Sequence, residues 1–158
     1  MARIVVVEGD ARARSAIVKI LRSRGHDAVA VVDAHKAIEA MKSRVPALLV
    51  ADFATLGDKR NESIARLRAT APKVPTIFCA ASRAELLEAS SSAAASEGAG
   101  MVLGLKKPLR RQALLDTIAR ALAIHAAAAG GAAKPRRVAK REAPAPTNEP
   151  RSPRRKAD

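Results

Sequence analysis

Five short apolar runs alternate with five longer amphipathic stretches along the first 128 residues of the chain. The apolar runs cover residues 4–7, 28–32, 47–51, 76–80 and 101–105. Runs that are apolar on both faces are typical of parallel strands covered by helices. Five strand–helix units in succession predict an α/β fold, with one parallel sheet, helices on both of its faces and right-handed crossovers.

The stretches between these runs carry apolar residues at helical spacing. We predict helices over residues 11–24, 34–43, 63–71, 82–97 and 109–128. Asp33 is a good N-cap residue, and Gly25 stands where a helix end favours a left-handed residue. In folds of this kind, functional side chains lie at the carboxyl ends of the strands.

Composition narrows the class of protein further. The chain has 158 residues, which is room for one ordinary domain and a tail. A single cysteine, Cys79, excludes an intramolecular disulfide, and we interpret it as a buried apolar residue rather than a reactive thiol. No apolar stretch has the length of a membrane span, so we expect a cytoplasmic protein.

The helical and strand periodicity ends near residue 128, and the rest of the chain is rich in Ala, Pro, Lys and Arg. We therefore predict one domain over residues 1–128 and a disordered basic tail over residues 129–158. Residues 130–158 contribute +6 of the net charge of +14. Such a tail either has no binding role or binds polyanions such as nucleic acid. The binding would be non-specific, because the tail has no aromatic residue for base stacking.

Charged side chains follow the ends of three predicted strands. Glu8, Gly9 and Asp10 follow the first strand, Asp52 follows the third and Lys107 follows the fifth. Because these ends share one edge of the sheet, we expect the side chains to lie close together. Carboxylates supply hard oxygen ligands for Mg²⁺, and a lysine can neutralise a phosphoryl oxygen.

The order of elements and these positions resemble the receiver domain of two-component response regulators over roughly residues 2–126. The most specific matches are the run PALLVAD, which ends at Asp52 and is followed by Gly57, and the pair Lys107-Pro108. The resemblance implies a flavodoxin-like (βα)5 fold with a doubly wound five-stranded parallel sheet. It also implies that Asp52 is the phosphoacceptor and that Lys107 contacts the phosphoryl group.

The same resemblance implies a metal site and a partner. Glu8, Asp52 and the backbone carbonyl of Ala54 would hold Mg²⁺. The phosphoryl donor would be a histidine kinase or a phosphotransfer protein, and the downstream protein partner is not implied.

Several positions depart from the receiver pattern. Gly9 replaces the second of two adjacent acids, which predicts weak or absent Mg²⁺ binding. Ala80 replaces the strand-four hydroxyl, with Ser82 two residues too late, and Gly104 replaces the aromatic switch residue. Loss of both switch residues removes the element that converts phosphorylation into a surface change.

Two functions stay open on this basis. The first is a receiver module that signals through protein–protein contacts. The second is a phosphorylation-independent pseudo-receiver scaffold whose basic tail binds DNA or another polyanion. We do not expect an enzyme, because no Gly-rich phosphate loop follows the first strand and no nucleophile–base pair is evident.

Overall fold

The computed structural model describes residues 1–129, and it confirms the predicted alternation of strands and helices. The strands are β1 (Arg3–Val7), β2 (Asp27–Val31), β3 (Leu48–Asp52), β4 (Thr76–Ala80) and β5 (Val102–Lys106). The helices are α1 (Ala11–Ser23), α2 (Ala34–Ser43), α3 (Arg60–Thr70), α4 (Arg83–Ala94) and α5 (Arg111–Ala129), and a short 3-10 helix over Ala54–Leu56 follows β3. Apart from Ala129, which ends α5, the predicted tail lies outside the described residues.

The five strands form one parallel sheet in the order β2-β1-β3-β4-β5. The chain therefore winds outward in both directions from the neighbouring strands β1 and β3, and ligands bind at such a switch point. Val7 pairs with Ala51, so the residues that follow them, Glu8 and Asp52, come to the same edge of the sheet. On the other side of β3, Asp52 pairs with Cys79 of β4.

Alternating strand residues supply two separate cores. Phe78 packs on the side of the sheet that α2, α3 and α4 cover, and Phe53 joins the same core. The neighbouring Ile77 packs on the opposite side, against α1 and α5. Both phenylalanines of the chain thus lie in one core, and the other core is built from aliphatic residues and Cys79.

Two helix ends differ by three residues from the sequence prediction, and the other ends agree within two residues. The helix α3 begins at Arg60 instead of residue 63, and the Arg60 guanidinium stacks over the Phe53 ring at 4.7 Å while pairing with Glu88 at 2.8 Å. The helix α4 ends at Ala94 instead of residue 97. Beyond it, the Ser96 hydroxyl donates to the carbonyl of Ala93 at 2.6 Å.

A buried arginine fastens the turn that precedes β5. Arg68 of α3 is 5% exposed, and it donates to the Ser96 hydroxyl at 2.8 Å and to the carbonyls of Gly98 at 2.7 Å and Gly100 at 3.0 Å. A Cβ on Gly98 would lie 2.7 Å from Arg68 Nε, so a larger residue would require the guanidinium to shift. Within residues 1–129, no helix is long and apolar enough to cross a membrane.

Candidate functional site

Asp52 ends β3 and is 6% exposed. Its Oδ2 accepts hydrogen bonds from the backbone N–H of Thr55 at 3.1 Å and from the Thr55 hydroxyl at 2.7 Å. Its Oδ1 forms an ion pair with the Lys107 ammonium. The structure therefore brings together Asp52 and Lys107, which lie 55 positions apart in the chain, as the sequence predicted.

Lys107 also pairs with a second buried carboxylate. Its Nζ lies 3.3 Å from Oε2 of Glu8, a residue that is 2% exposed, and Glu8 Oε1 accepts the backbone N–H of Asp10 at 3.1 Å. Burial alone would lower the pKa of the Lys107 ammonium, but the hydrogen bonds and negative charges of Asp52 and Glu8 raise that pKa overall. Lys107 is therefore a protonated cation between two carboxylates at neutral pH.

Thr55 is a member of this cluster that sequence reasoning missed. Its hydroxyl donates to Asp52 and accepts the backbone N–H of Gly9 at 3.0 Å, so it joins the ends of β1 and β3. A Cβ on Gly9 would lie 3.3 Å from Thr55 Oγ1, so Thr55 packs against the position where the receiver pattern has a second acid. A hydroxyl residue three positions after an aspartate that ends a strand is a recognisable side-chain turn signal, and it could have been used.

The oxygens predicted to bind a metal have protein partners in this structure. Each carboxylate oxygen of Glu8 and Asp52 contacts at least one donor, and the carbonyl of Ala54 accepts the Gly57 N–H at 3.2 Å. Asp10 is exposed and caps α1 by accepting the Ala13 N–H. Within residues 1–129, no group of three His, Cys, Asp or Glu side chains could hold a metal ion. Two adjacent carboxylates still fit a largely hydrated Mg²⁺, because this ion retains water and needs few protein ligands.

Other contacts occupy the two positions, Ala80 and Gly104, at which the receiver pattern has switch residues. Ala80 is 1% exposed, and its carbonyl accepts the Lys107 backbone N–H at 2.8 Å. Ser82 is the N-cap of α4 and accepts the Glu85 N–H at 3.2 Å, so its hydroxyl serves the helix. Beside Gly104, a Cβ would meet Leu86 Cδ2 at 3.2 Å, so the Leu86 side chain of α4 lies where an aromatic residue would begin.

Cys79 lies one strand away from Asp52, and its properties confirm the interpretation as a buried apolar residue. It is 2% exposed in the core between the sheet and the α1–α5 side. Burial raises the pKa of its thiol to about 12, so almost no thiolate forms at neutral pH.

A groove of about 230 Å³ opens between α1 and α5 next to the charged cluster. Glu8 and Lys107 line its polar end, and apolar residues such as Ile17 and Leu114 line the remainder. Lys107, whose side chain is partly exposed, is therefore reached from the side of the sheet that α1 and α5 cover.

No family model matches this chain, and no curated protein matches it. Solved structures do match it. NtrX from Brucella abortus in complex with ADP superposes with a TM-score of 0.71 at 20% identity, over 83% of this chain and 28% of that one. This chain therefore spans less than a third of the NtrX chain.

Two shorter structures match over nearly their whole length. A two-component response regulator from Clostridium difficile gives a TM-score of 0.66 at 18% identity, over 78% of this chain and 97% of that one. The receiver domain of the sensor histidine kinase PA1611 from Pseudomonas aeruginosa, which has a magnesium ion in its active-site cleft, gives 0.63 at 23% identity, over 77% and 98%. The described part of this chain thus has the flavodoxin-like fold of response-regulator receiver domains, as the sequence predicted.

Proposed function

We propose that this chain, which has the receiver fold, is a signalling module in which Asp52 accepts a phosphoryl group from a histidine kinase or a phosphotransfer protein. It would act through protein–protein contacts rather than as an enzyme. One observation carries the proposal: the buried carboxylate of Asp52 and the ammonium of Lys107 form an ion pair at the carboxyl edge of the sheet, beside the carboxylate of Glu8.

The chemistry needs a nucleophilic carboxylate and a cation near it. An oxygen of Asp52 attacks phosphorus and forms an O–P bond, while the P–N bond of a phosphohistidine, or the P–O bond of acetyl phosphate, breaks. The leaving group takes the electron pair of that bond. Lys107, already paired with Asp52 Oδ1, stabilises the negative charge on the phosphoryl oxygens.

Glu8 and Asp52 are the residues that would hold Mg²⁺, with the carbonyl of Ala54 as a further oxygen ligand. The bound ion would neutralise charge on the phosphoryl oxygens. Because Gly9 offers no carboxylate and Thr55 occupies Oδ2 of Asp52, we propose that Mg²⁺ binds weakly here.

The test is incubation of the full chain with acetyl phosphate and millimolar Mg²⁺, followed by intact-mass analysis. We expect the gain of one phosphoryl mass in the wild-type chain and in Asp10→Asn, and no gain in Asp52→Asn. The Asp10 variant is the matched control, because this exposed aspartate caps α1 and does not contact Lys107. Absence of any gain in folded wild-type protein would contradict the phosphoacceptor proposal.

A second function has its own observation. Residues 130–158 carry nine Lys and Arg against three Asp and Glu, which supports a scaffold whose tail binds a polyanion non-specifically. The two functions make opposite predictions. If the chain signals through phosphorylation, the signal is lost in Asp52→Ala even though the tail is intact. A scaffold tolerates that change and loses its binding when residues 130–158 are deleted.

A further inference from the structure

The solvent-facing side of α1 carries a line of cations. Arg12, Lys19 and Arg22 are exposed, and with the exposed Ser15 they follow the spacing i, i+3, i+7 and i+10, which places them on one face of the helix. We call these four residues the α1 stripe. Because a helix rises 1.5 Å per residue, the stripe is about 15 Å long.

Within the described residues, no negative side chain forms an ion pair with the α1 stripe. The helix contains no Asp or Glu, and no ion pair within residues 1–129 includes Arg12, Lys19 or Arg22. Arg22 donates to the carbonyl of Ala28 at 3.4 Å, and Arg14 turns away from the stripe and donates to the carbonyl of Glu8 at 3.0 Å. A cation in the first turn of a helix is unfavourable for the helix itself, so Arg12 does not serve α1 stability.

Further cations extend this surface at the start of α5. Arg111 donates to the Ser23 hydroxyl at 3.1 Å, which brings the exposed Arg110 and Arg111 to the C-terminal end of α1. Exposed Arg24 follows directly after the helix. The surface therefore continues from one helix to the next on the same side of the sheet, and it remains mainly basic although Asp116 of α5 lines the same cavity as Arg24.

We propose that the α1 stripe binds the phosphate backbone of double-stranded nucleic acid without sequence preference. A B-form duplex carries one charge per about 1.7 Å of its axis, so about nine phosphates lie along a 15 Å stripe. The chain as a whole carries +14, which favours the encounter with such a partner. This surface is separate from Asp52 and belongs to residues 1–129 rather than to residues 130–158.

The composition of the stripe favours nucleic acid over an acidic protein. Protein interfaces have apolar and aromatic centres. The exposed face of α1 offers instead Ser15, Ala16 and Ser23 between its cations. Small polar and apolar residues permit close approach of a phosphate backbone but provide little apolar area for a protein partner.

The test compares two triple variants of the full chain on a short fluorescein-labelled DNA duplex. One replaces the stripe cations, Arg12→Gln, Lys19→Gln and Arg22→Gln. The other is Lys42→Gln, Arg66→Gln and Arg83→Gln, which removes the same charge from exposed positions on α2, α3 and α4, on the opposite side of the sheet. Fluorescence anisotropy gives Kd as a function of salt concentration, and circular dichroism checks the fold.

We expect the stripe variant to bind DNA at least about tenfold more weakly than the wild type. The plot of log K against log salt should also become less steep by up to about 2.7, at about 0.9 per lost phosphate contact. The control variant should keep a slope close to that of the wild type. Asp52→Ala should bind DNA like the wild type, which separates this inference from the phosphoacceptor proposal. Equal losses in both triple variants would overturn the inference, as would a wild-type chain that binds poly-glutamate but not DNA.

Discussion

Lys107 places one ammonium between two buried carboxylates. It pairs with Glu8, which is 2% exposed, and with Asp52, which is 6% exposed. A buried carboxylate that loses its counterion must be solvated or protonated at a cost, so the partners of an ion pair depend on each other. The effect on stability of replacing any one of these three residues therefore depends on the charges of the other two.

Lys107→Met should destabilise the fold by about 2 kcal/mol, less than for a fully buried pair because the lysine side chain is partly exposed. The double variant Lys107→Met with Asp52→Asn should recover part of this loss, because one of the stranded charges is then removed. Urea unfolding followed by circular dichroism measures both variants. Equal stability of the wild type and the single variant would show that the two carboxylates do not depend on Lys107 as their counterion.

The contribution of Lys107 should also depend on pH in one direction. The folded state raises the pKa of this ammonium above its ordinary value of 10.5, so the folded protein binds the proton more tightly than the unfolded chain does. The stabilisation is complete below that ordinary value and is lost as pH rises through the folded-state pKa. The stability difference between wild type and Lys107→Met should therefore be constant from pH 7 to pH 9 and should shrink in strong alkali.

The side chain of Leu86 packs beside Gly104, the position where the receiver pattern has an aromatic switch residue. Leu86 of α4 lies so close to Gly104 of β5 that an added Cβ would be 3.2 Å from Leu86 Cδ2. Gly104 is exposed and Leu86 is partly buried, so an aromatic ring at this position would require the leucine side chain to shift.

Gly104→Phe should therefore cost about 1 kcal/mol of stability, the order of one side chain forced away from its preferred rotamer. Leu86→Ala removes the obstructing side chain, so the double variant should be more stable than the sum of the two single effects predicts. A double-mutant cycle by chemical unfolding measures this coupling, with Leu87→Ala on the same helix as an exposed control. Strict additivity would show that the ring avoids Leu86.

The fold was predictable from local patterns, and the detail of the site was predictable only in part. The five apolar runs and the helix caps are encoded within a few neighbouring residues, so the elements were found with limits correct to about three residues. The pairing of Asp52 with Lys107 followed from the resemblance and from the rule that strand ends share an edge. The contact of Thr55 with Gly9 joins different strand ends and depends on loop conformation, which no periodicity reports.

Residues 1–129 carry a large positive charge. Residues 130–158 account for +6 of the total +14, so residues 1–129 carry +8. Such an excess of one sign repels itself in the compact state and stabilises the protein against association. The charge therefore influences both solubility and stability, independently of any ligand.

Moderate NaCl should raise Tm, because screening relieves this repulsion. About 1 kcal/mol of relief corresponds to about 4 °C for a domain of this size. The charge-reversed variant Lys42→Glu, Arg66→Glu and Arg83→Glu should show a smaller response to NaCl, since it carries less excess charge. Melting curves by circular dichroism test this, and a Tm that falls with salt would show that attractive ion pairs dominate.

The placement of both phenylalanines in one core has a spectroscopic consequence. The chain has no Trp or Tyr, so apart from three imidazoles the ring currents come from Phe53 and Phe78 alone. Phe53 follows Asp52 directly, and Phe78 pairs with Ala51 in the sheet. In an NMR spectrum, the methyl resonances displaced most strongly should therefore come from the side that α2, α3 and α4 cover, close to Asp52. Chemical change at that carboxylate should be visible in those few signals without any introduced label.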